Sequence, residues 1–304
     1  MTIGQYLNKP EYIFRPSQLF RRMSHAVRRR NNKFETVVLP WKIKIRVRPY
    51  EVIGQSIERM GVYDLCVTEA LWRLIDPDEI AVDIGANIGY MTSVMAKRVG
   101  DGGRVYAYEP HPQVYEEFCE NKRIWKQTSG WEQIESRNVA LSNASGTGFL
   151  NIPKEFRKNR GLASLETRGD KLNNGGTRGY SVPLAKLDDL VNIGQSVALV
   201  KVDVEGHELE VLKGGAKLIT HHVRDVLFEE HRSYPSDVSR YLKDKGFTIF
   251  RLHKTLLGPR AQRPAEHRKM PTLPWEPPSY LATKQPLRLI ERMKRRGWRC
   301  LSNN

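Results

Sequence analysis

Ala81-Val82-Asp83-Ile84-Gly85-Ala86-Asn87-Ile88-Gly89 is an apolar strand running into a tight glycine turn, and Tyr90-Met91-Thr92-Ser93-Val94 continues it as a helix. A turn of this kind brings backbone N–H groups close to a ligand at the start of the helix. A dinucleotide would need G-x-G-x-x-G, with the second glycine for close approach and the third for helix packing. Those positions hold Asn87 and Tyr90, so the fit to a dinucleotide is poor. Beyond the turn, Val105-Tyr106-Ala107-Tyr108-Glu109-Pro110 closes a second strand with a carboxylate. At that separation a carboxylate can accept hydrogen bonds from both hydroxyls of a ribose. Either feature alone is weak evidence, but together on consecutive strands they point to a nucleotide-like ligand. Asp83 has a second reading, as a carboxylate that stabilises the turn or caps the helix.

Outward from this stretch, short β-branched runs alternate with helix-length segments, the pattern of a parallel sheet with crossover helices. Strands are expected at Ile80–Ile84, Arg104–Tyr108, Ile134–Leu141, Val197–Val202, Asp225–Glu229, Thr248–Leu252 and Tyr280–Thr283. Helices are expected at about 89–99, 111–124, 207–221 and 236–245. Residues 143–196 hold eight glycines and read as a long surface insertion that carries specificity. Residues 253–279 hold six prolines and read as a lid-like loop without regular structure. Upstream, Val37, Leu39, Trp41, Ile43, Ile45 and Val47 occupy every second position, predicting an N-terminal hairpin. Ser17 is placed to cap a basic amphipathic helix carrying Leu19, Phe20, Met23, Ala26 and Val27. Leu287, Ile290, Met293 and Trp298 mark a second one near the C-terminus. Three parts follow: a basic extension over 1–64, an α/β domain over 65–285, and a basic C-terminal helix over 286–304.

The chain has 304 residues and a formal net charge of +16, unevenly spread. Residues 1–50 carry twelve basic and two acidic side chains, and residues 251–304 carry thirteen and three. The middle is slightly acidic, which argues against nucleic-acid binding by the core, since phosphate contacts need clustered cations. The basic ends suit an anionic membrane surface or an acidic partner, or form a charged solvent face whose apolar stripe packs on the core. Cys66, Cys119 and Cys300 are widely spaced and odd in number, which supports neither a disulfide framework nor a thiolate metal site. No signal-peptide core and no long uncharged apolar run is present, so the expected location is the cytoplasm, or the inner face of a membrane through peripheral contact.

Four blocks carry a family resemblance: V-D-I-G-A-N-I-G-Y (82–90), V-Y-A-Y-E-P-H-P (105–112), N-V-A-L-S (138–142) and L-V-K-V-D-V-E-G-H-E-L-E-V-L-K-G (199–214). V-L-F-E-E-H (226–231) follows them. In order and spacing they resemble the FkbM methyltransferases, a branch of the class I S-adenosylmethionine-dependent enzymes, over roughly residues 65–255. The resemblance implies a seven-stranded, mostly parallel Rossmann-like sheet of strand order 3-2-1-4-5-7-6 with helices on both faces. It also implies that Asp83, Gly85, Asn87 and Gly89 line the methionine portion of the cofactor, Glu109 its ribose, and Asn138, Val139, Ala140 and Leu141 the adenine edge. The flanks inherit no role from it.

Methyl transfer to an alcohol needs alignment and a base that takes the hydroxyl proton. Lys201, Asp203, Glu205 and His207 alternate around the exit of the fourth strand, and period two would send Asp203 and Glu205 to one side. Glu229, Glu230 and His231 end the fifth. Asp203 with Glu205 is the expected acid–base group, with His207 and Glu229 as secondary candidates. Glu205 has a second reading, as a carboxylate favoured by the start of the helix near Gly206. Mg²⁺ is the less favoured alternative, because an Asp-x-Glu pair alone binds metals weakly. The expected acceptor is a hydroxyl of a sugar, glycan intermediate or polyketide-like small molecule. An amine acceptor and a non-catalytic binding module are the alternatives, and Arg157, Lys158 and Arg160 would suit an acidic acceptor.

Overall fold

The computed structural model describes residues 10–14, 33–153, 163–166, 178–191, 194–265 and 278–302. The expected helix starting at Ser17 and the Arg157–Arg160 cluster lie outside them. An eight-stranded sheet forms the centre. In chain order its strands are β3 (Ile80–Ile84), β4 (Arg104–Tyr108), β5 (Ile134–Arg137), β10 (Val197–Val202), β11 (Val223–Glu229), β12 (Thr248–Thr255), β13 (Gly258–Gln262) and β14 (Ser279–Thr283). Across the sheet they run β13-β12-β14-β11-β10-β3-β4-β5. Without β13 this is the 3-2-1-4-5-7-6 order. β5, β4, β3, β10 and β11 are mutually parallel, and β14 is antiparallel to both β11 and β12. Val197, Leu199, Val200 and Val202 of β10 are fully buried, as a strand covered on both faces by helices must be.

The helices that cover the sheet include α4 (Tyr90–Val99), α5 (Pro112–Ser129), α7 (Glu208–Gly214), α8 (Ala216–His221) and α9 (Asp237–Asp244). The expected 207–221 helix is broken in two at Gly215, whose added Cβ would lie 2.8 Å from a Leu187 methyl. The expected strand over 134–141 also breaks. Asn138 leaves the ladder to donate to the carbonyls of Glu109 and Pro110, at 2.7 and 2.9 Å.

Two regions expected to be irregular hold strands. β6 (Ala140–Leu141), β7 (Gly146–Ile152), β8 (Ser164–Glu166) and β9 (Arg178–Ala185) make a second, four-stranded sheet. Gly148 and Gly179 belong to it because a Cβ at either would strike neighbouring side chains, Leu184 and Phe149 respectively. In the proline-rich region, β12 runs on to Thr255 and turns into β13, where Pro259 pairs with Lys254. β13 is the edge strand, so a missing N–H there leaves no central ladder bond broken.

Both ends of the chain pack on the same core. The N-terminal hairpin, β1 (Glu35–Val38) and β2 (Lys44–Val47), docks on α5: Asn121 accepts from the Arg46 N–H at 2.7 Å, and the Trp125 indole N–H donates to Lys44 O at 2.7 Å. The C-terminal helix, α10 (Pro286–Met293), buries Leu289 and Met293 and leaves Leu287 and Ile290 exposed. The expected stripe is therefore corrected: the helix ends at Met293, and Trp298 is buried from the segment beyond it. α3 (Leu65–Leu74) holds this tail, with the Arg73 guanidinium donating to the carbonyls of Arg292, Arg295 and Gly297. Glu69 accepts from the N–H groups of Arg299 and Cys300. None of the three cysteines is in a disulfide, and among the described residues no helix is long and apolar enough to cross a membrane.

Candidate active site

Above the carboxyl ends of β3, β4, β10 and β11 lies a cleft of about 310 Å³, within the range of small-molecule sites. Its floor is the turn after β3. The N–H groups of Gly85 and Ala86 both donate to Tyr108 O at 3.0 Å, which ties the turn to β4. Gly85 has φ +75, and a Cβ there would stand 1.9 Å from the carbonyl oxygen of Asp203. Only glycine permits that approach of the turn to the end of β10. Asn87, at φ +51, accepts the Ile88 N–H on its own side chain, as asparagine in the left-handed region commonly does.

Glu109 closes this half of the cleft. Its Oε2 accepts from the Asn87 N–H and its Oε1 from the His111 N–H, both at 2.8 Å. A carboxylate offers about four lone-pair directions, so each oxygen keeps one for a further donor such as a sugar hydroxyl. Burial pushes the group up to about 7, against the pull of the two backbone N–H groups and Lys201. Val139, Ala140 and Leu141 form an apolar wall beside it, joined by Leu150, Ala163 and Leu165 from the second sheet. A turn that excludes side chains, a carboxylate with open acceptor sites and a flat apolar wall fit a nucleoside such as that of S-adenosylmethionine.

The expected cofactor set divides on inspection of its placement. Gly85, Asn87, Glu109, Ala140 and Leu141 line the cleft, whereas Asp83, Gly89 and Asn138 do not. Asp83 lies fully buried beneath the turn, its Oδ2 accepting from the Thr92 hydroxyl at 2.6 Å and its Oδ1 lying 3.2 Å from Lys201 Nζ. Gly89 faces α5: a Cβ there would sit 2.4 Å from the Phe118 ring and 2.9 Å from Trp125. Gly89→Ala is thus a packing variant with φ +88. Overpacking costs about 1–3 kcal/mol, to which the left-handed backbone adds about 1–2 kcal/mol. Thermal unfolding should show a lower Tm, and a Tm equal to that of the parent chain would contradict this reading of Gly89.

The opposite half of the cleft is acidic. Asp64, Asp203, Glu205 and Glu229 line it with Tyr63, His207, His231 and Ser279. Asp203 Oδ2 is 3.4 Å from Lys201 Nζ, so this lysine stands between two carboxylates and also reaches Gly85 O at 3.2 Å. Burial would lower Lys201, but Asp83 and Asp203 together hold it above its ordinary value. β10 ends at Val202, so the expected alternation through Glu205 does not hold. Glu205 instead takes φ +49 in a turn with Gly206 at +92, which brings it beside Asp203 by a tight reversal. Burial, then Asp203 and Glu208, push Glu205 up to about 7. The expected helix start near Gly206 is displaced to Glu208, and it is the Glu208 carboxylate that accepts the Gly206 N–H, at 2.9 Å.

His207 faces Ser142 Oγ at 3.0 Å, and burial lowers its pKa, which favours the neutral ring. Glu229 ends β11 and meets His231 Nε2 at 2.7 Å. Burial first, then the neighbouring Asp203, Asp64 and Glu205, push Glu229 up to about 8. Glu230 faces away and is held by Arg232 at 2.9 Å. Tyr63 and Asp64 were not among the expected residues. Asp64 caps α3, accepting the Val67 N–H at 3.1 Å, and burial pushes it up to about 6. Its position three residues before Val67 is an N-cap signal in the sequence, but nothing local ties that cap to the cleft. Among the described residues no group of His, Cys, Asp and Glu has the arrangement of a metal site.

A glycine turn with a strand-end carboxylate, open to an acidic wall, leaves one space that fits a nucleoside-type ligand beside candidate proton acceptors. Comparison with known proteins bears on the same residues. A family model described as the methyltransferase FkbM domain matches residues 83–249, more than half of the chain. The methyltransferase sdnD of Sordaria araneosa is 29% identical over 228 residues, covering 64% of this chain and 85% of that protein. The hexuronic acid methyltransferase AglP of Haloferax volcanii is 29% identical over 198 residues, covering 62% and 74%. The solved structure of an FkbM methyltransferase from Methylobacillus flagellatus is 15% identical with a TM-score of 0.43, matching 77% of this chain and 56% of that one. With the strand order, the cleft and the matched segment in agreement, the chain belongs to the FkbM family of S-adenosylmethionine-dependent methyltransferases.

Proposed function

We propose that the enzyme O-methylates a hydroxyl of a sugar, glycan intermediate or other small molecule, with Glu229 as the base. The observation that carries this reading is the pair Glu229–His231 at 2.7 Å, facing the same cleft as Gly85 and Glu109. When bound, S-adenosylmethionine supplies an activated methyl carbon on a sulfonium. Gly85, Asn87 and Glu109 would hold its nucleoside and amino acid portions, with Val139, Ala140 and Leu141 against the base. The protein then has to align the acceptor hydroxyl and take its proton. Glu229 is placed to accept that proton, and His231, with its side chain 67% exposed, is placed to pass it to solvent. A base whose pKa lies near the working pH is the efficient choice for such a step. Asp203 is paired with Lys201, so its part is to hold the turn and the floor of the acceptor half, while Glu205 and His207 border the acceptor.

The acceptor half carries four carboxylates against one lysine and two histidines among the described residues. That balance supports a neutral hydroxyl over an acidic acceptor. One relative is by its name a hexuronic acid methyltransferase, which supports a sugar acceptor here. An amine acceptor is the second reading, favoured by the same anionic wall.

The test is the pH dependence of kcat/KM across a panel of neutral sugars, amino sugars and uronic acids, read as S-adenosylhomocysteine formed. The proton acceptor works only when ionised, so kcat/KM for a neutral acceptor should rise through about pH 8 and level off above it. A profile flat from pH 6 to 9, or turnover confined to uronic acids, would sink this reading.

A further inference from the structure

We infer that the β12–β13 turn and the segment after α10 form a docking surface for an anionic lipid bilayer. Of the nine large hydrophobic side chains exposed among the described residues, two stand side by side in this region: Leu256 (41%) and Leu257 (57%). Leu256 and Leu257 form the tip of the turn. Their outward position is built into the fold, since Leu256 O accepts from the Trp298 indole N–H at 3.3 Å and Leu257 O from the Gly297 N–H at 2.7 Å. Gly297 is itself held to the core by Arg73 at 2.6 Å. The leucines are thus fixed by their backbones and leave their side chains in solvent.

The charge around them is predominantly positive. Arg260, Arg263, Lys294, Arg295, Arg296 and Arg299 are all exposed, and the one exposed carboxylate among these segments is Glu291, 3.8 Å from Arg295. Aliphatic tips rimmed by cations match a headgroup region of anionic lipid, where the apolar groups enter the interface and the cations meet phosphate. A nucleic acid would use the cations and leave the leucines in water. A second copy of this chain would set two rims of like charge face to face, at an electrostatic cost.

Topology gives the surface its use. β12 is antiparallel to β14, which is antiparallel to β11, so β12 and β11 end on the same edge of the sheet. Arg251 is level with Tyr280 and so with Phe228, and β12 continues four residues further before Leu256. The leucine tip therefore projects from the edge that carries Glu229 and the cleft. This surface is independent of the acceptor proposed above.

The full-length chain should be co-sedimented with phosphatidylcholine vesicles and with vesicles in which part of that lipid is replaced by phosphatidylglycerol. Partitioning onto the anionic vesicles is expected to be roughly tenfold stronger or more, and to weaken between low salt and about 0.15 M. L256D/L257D should reduce it by about tenfold, while S-adenosylmethionine affinity and thermal unfolding stay at parental values. R295Q/R296Q should flatten the salt dependence. Equal partitioning onto both vesicle types, unchanged binding by L256D/L257D, or capture of nucleic acid or an acidic protein without vesicle binding would overturn the inference.

Discussion

Glu229→Gln is expected to lower kcat by about 10²–10⁴-fold, the usual worth of a positioned general base. The substitution keeps the shape of the side chain and its reach to His231, so S-adenosylmethionine affinity should change little. Burial and the acids Asp203, Asp64 and Glu205 push Glu229 up to about 8, which sets it near the working pH. The rise of activity through that pH should vanish in the variant. Glu205→Gln provides the control: Glu205 also titrates near neutral, but among the described residues no histidine is paired with it, and kcat of the variant should fall much less. The measurement is steady-state kinetics of both variants with one neutral acceptor. A larger loss in Glu205→Gln would reverse the two roles, and no loss in either would favour a neutral amine acceptor, which has less need of a base.

Lys201→Met should destabilise the fold by about 3–5 kcal/mol, the cost of leaving a buried charge without its partner. Lys201 is 4% exposed between Asp83, fully buried, and Asp203. Removing the ammonium leaves Asp83 with Thr92 and no cation, directly beneath the cofactor turn. Adding Asp83→Asn to Lys201→Met removes the orphaned charge, so the double variant should recover part of the loss. Urea denaturation followed by circular dichroism measures both. A loss under about 1 kcal/mol in the single variant would show that the pair is not the buried neutralising contact the geometry implies.

The central sheet was legible because its signals are local. A β-branched run, a glycine turn and a strand-end carboxylate are each set by a few adjacent residues, and their order fixes the cofactor edge. The second sheet was hidden by glycine content. Tyr180, Val182 and Leu184 do alternate at period two, a signal outweighed by the glycines around them, although Gly148 and Gly179 are needed there for close packing. The division of roles within the site was not legible either. Asp83 and Gly89 belong to the same motif as Gly85, but only tertiary packing shows that one lies under the floor and the other faces Phe118 and Trp125. Likewise Glu205 and Glu208 are three residues apart, and with the left-handed turn at Glu205 it is Glu208 that accepts the Gly206 N–H. Tyr63 and Asp64 reach the cleft from a segment upstream of every motif, through the path of α3.

All of these roles depend on a nucleoside seated between the Gly85 turn and the Val139–Leu141 wall with its ribose on Glu109. Isothermal titration calorimetry of the parent chain and Glu109→Ala with S-adenosylmethionine tests that placement most directly. Binding by the parent chain is expected, with affinity reduced by about one to two orders of magnitude in the variant, since hydrogen bonds to a charged group contribute about 1.5–3 kcal/mol each. Equal affinity in the two chains, or heat with a nicotinamide dinucleotide and none with S-adenosylmethionine, would contradict it.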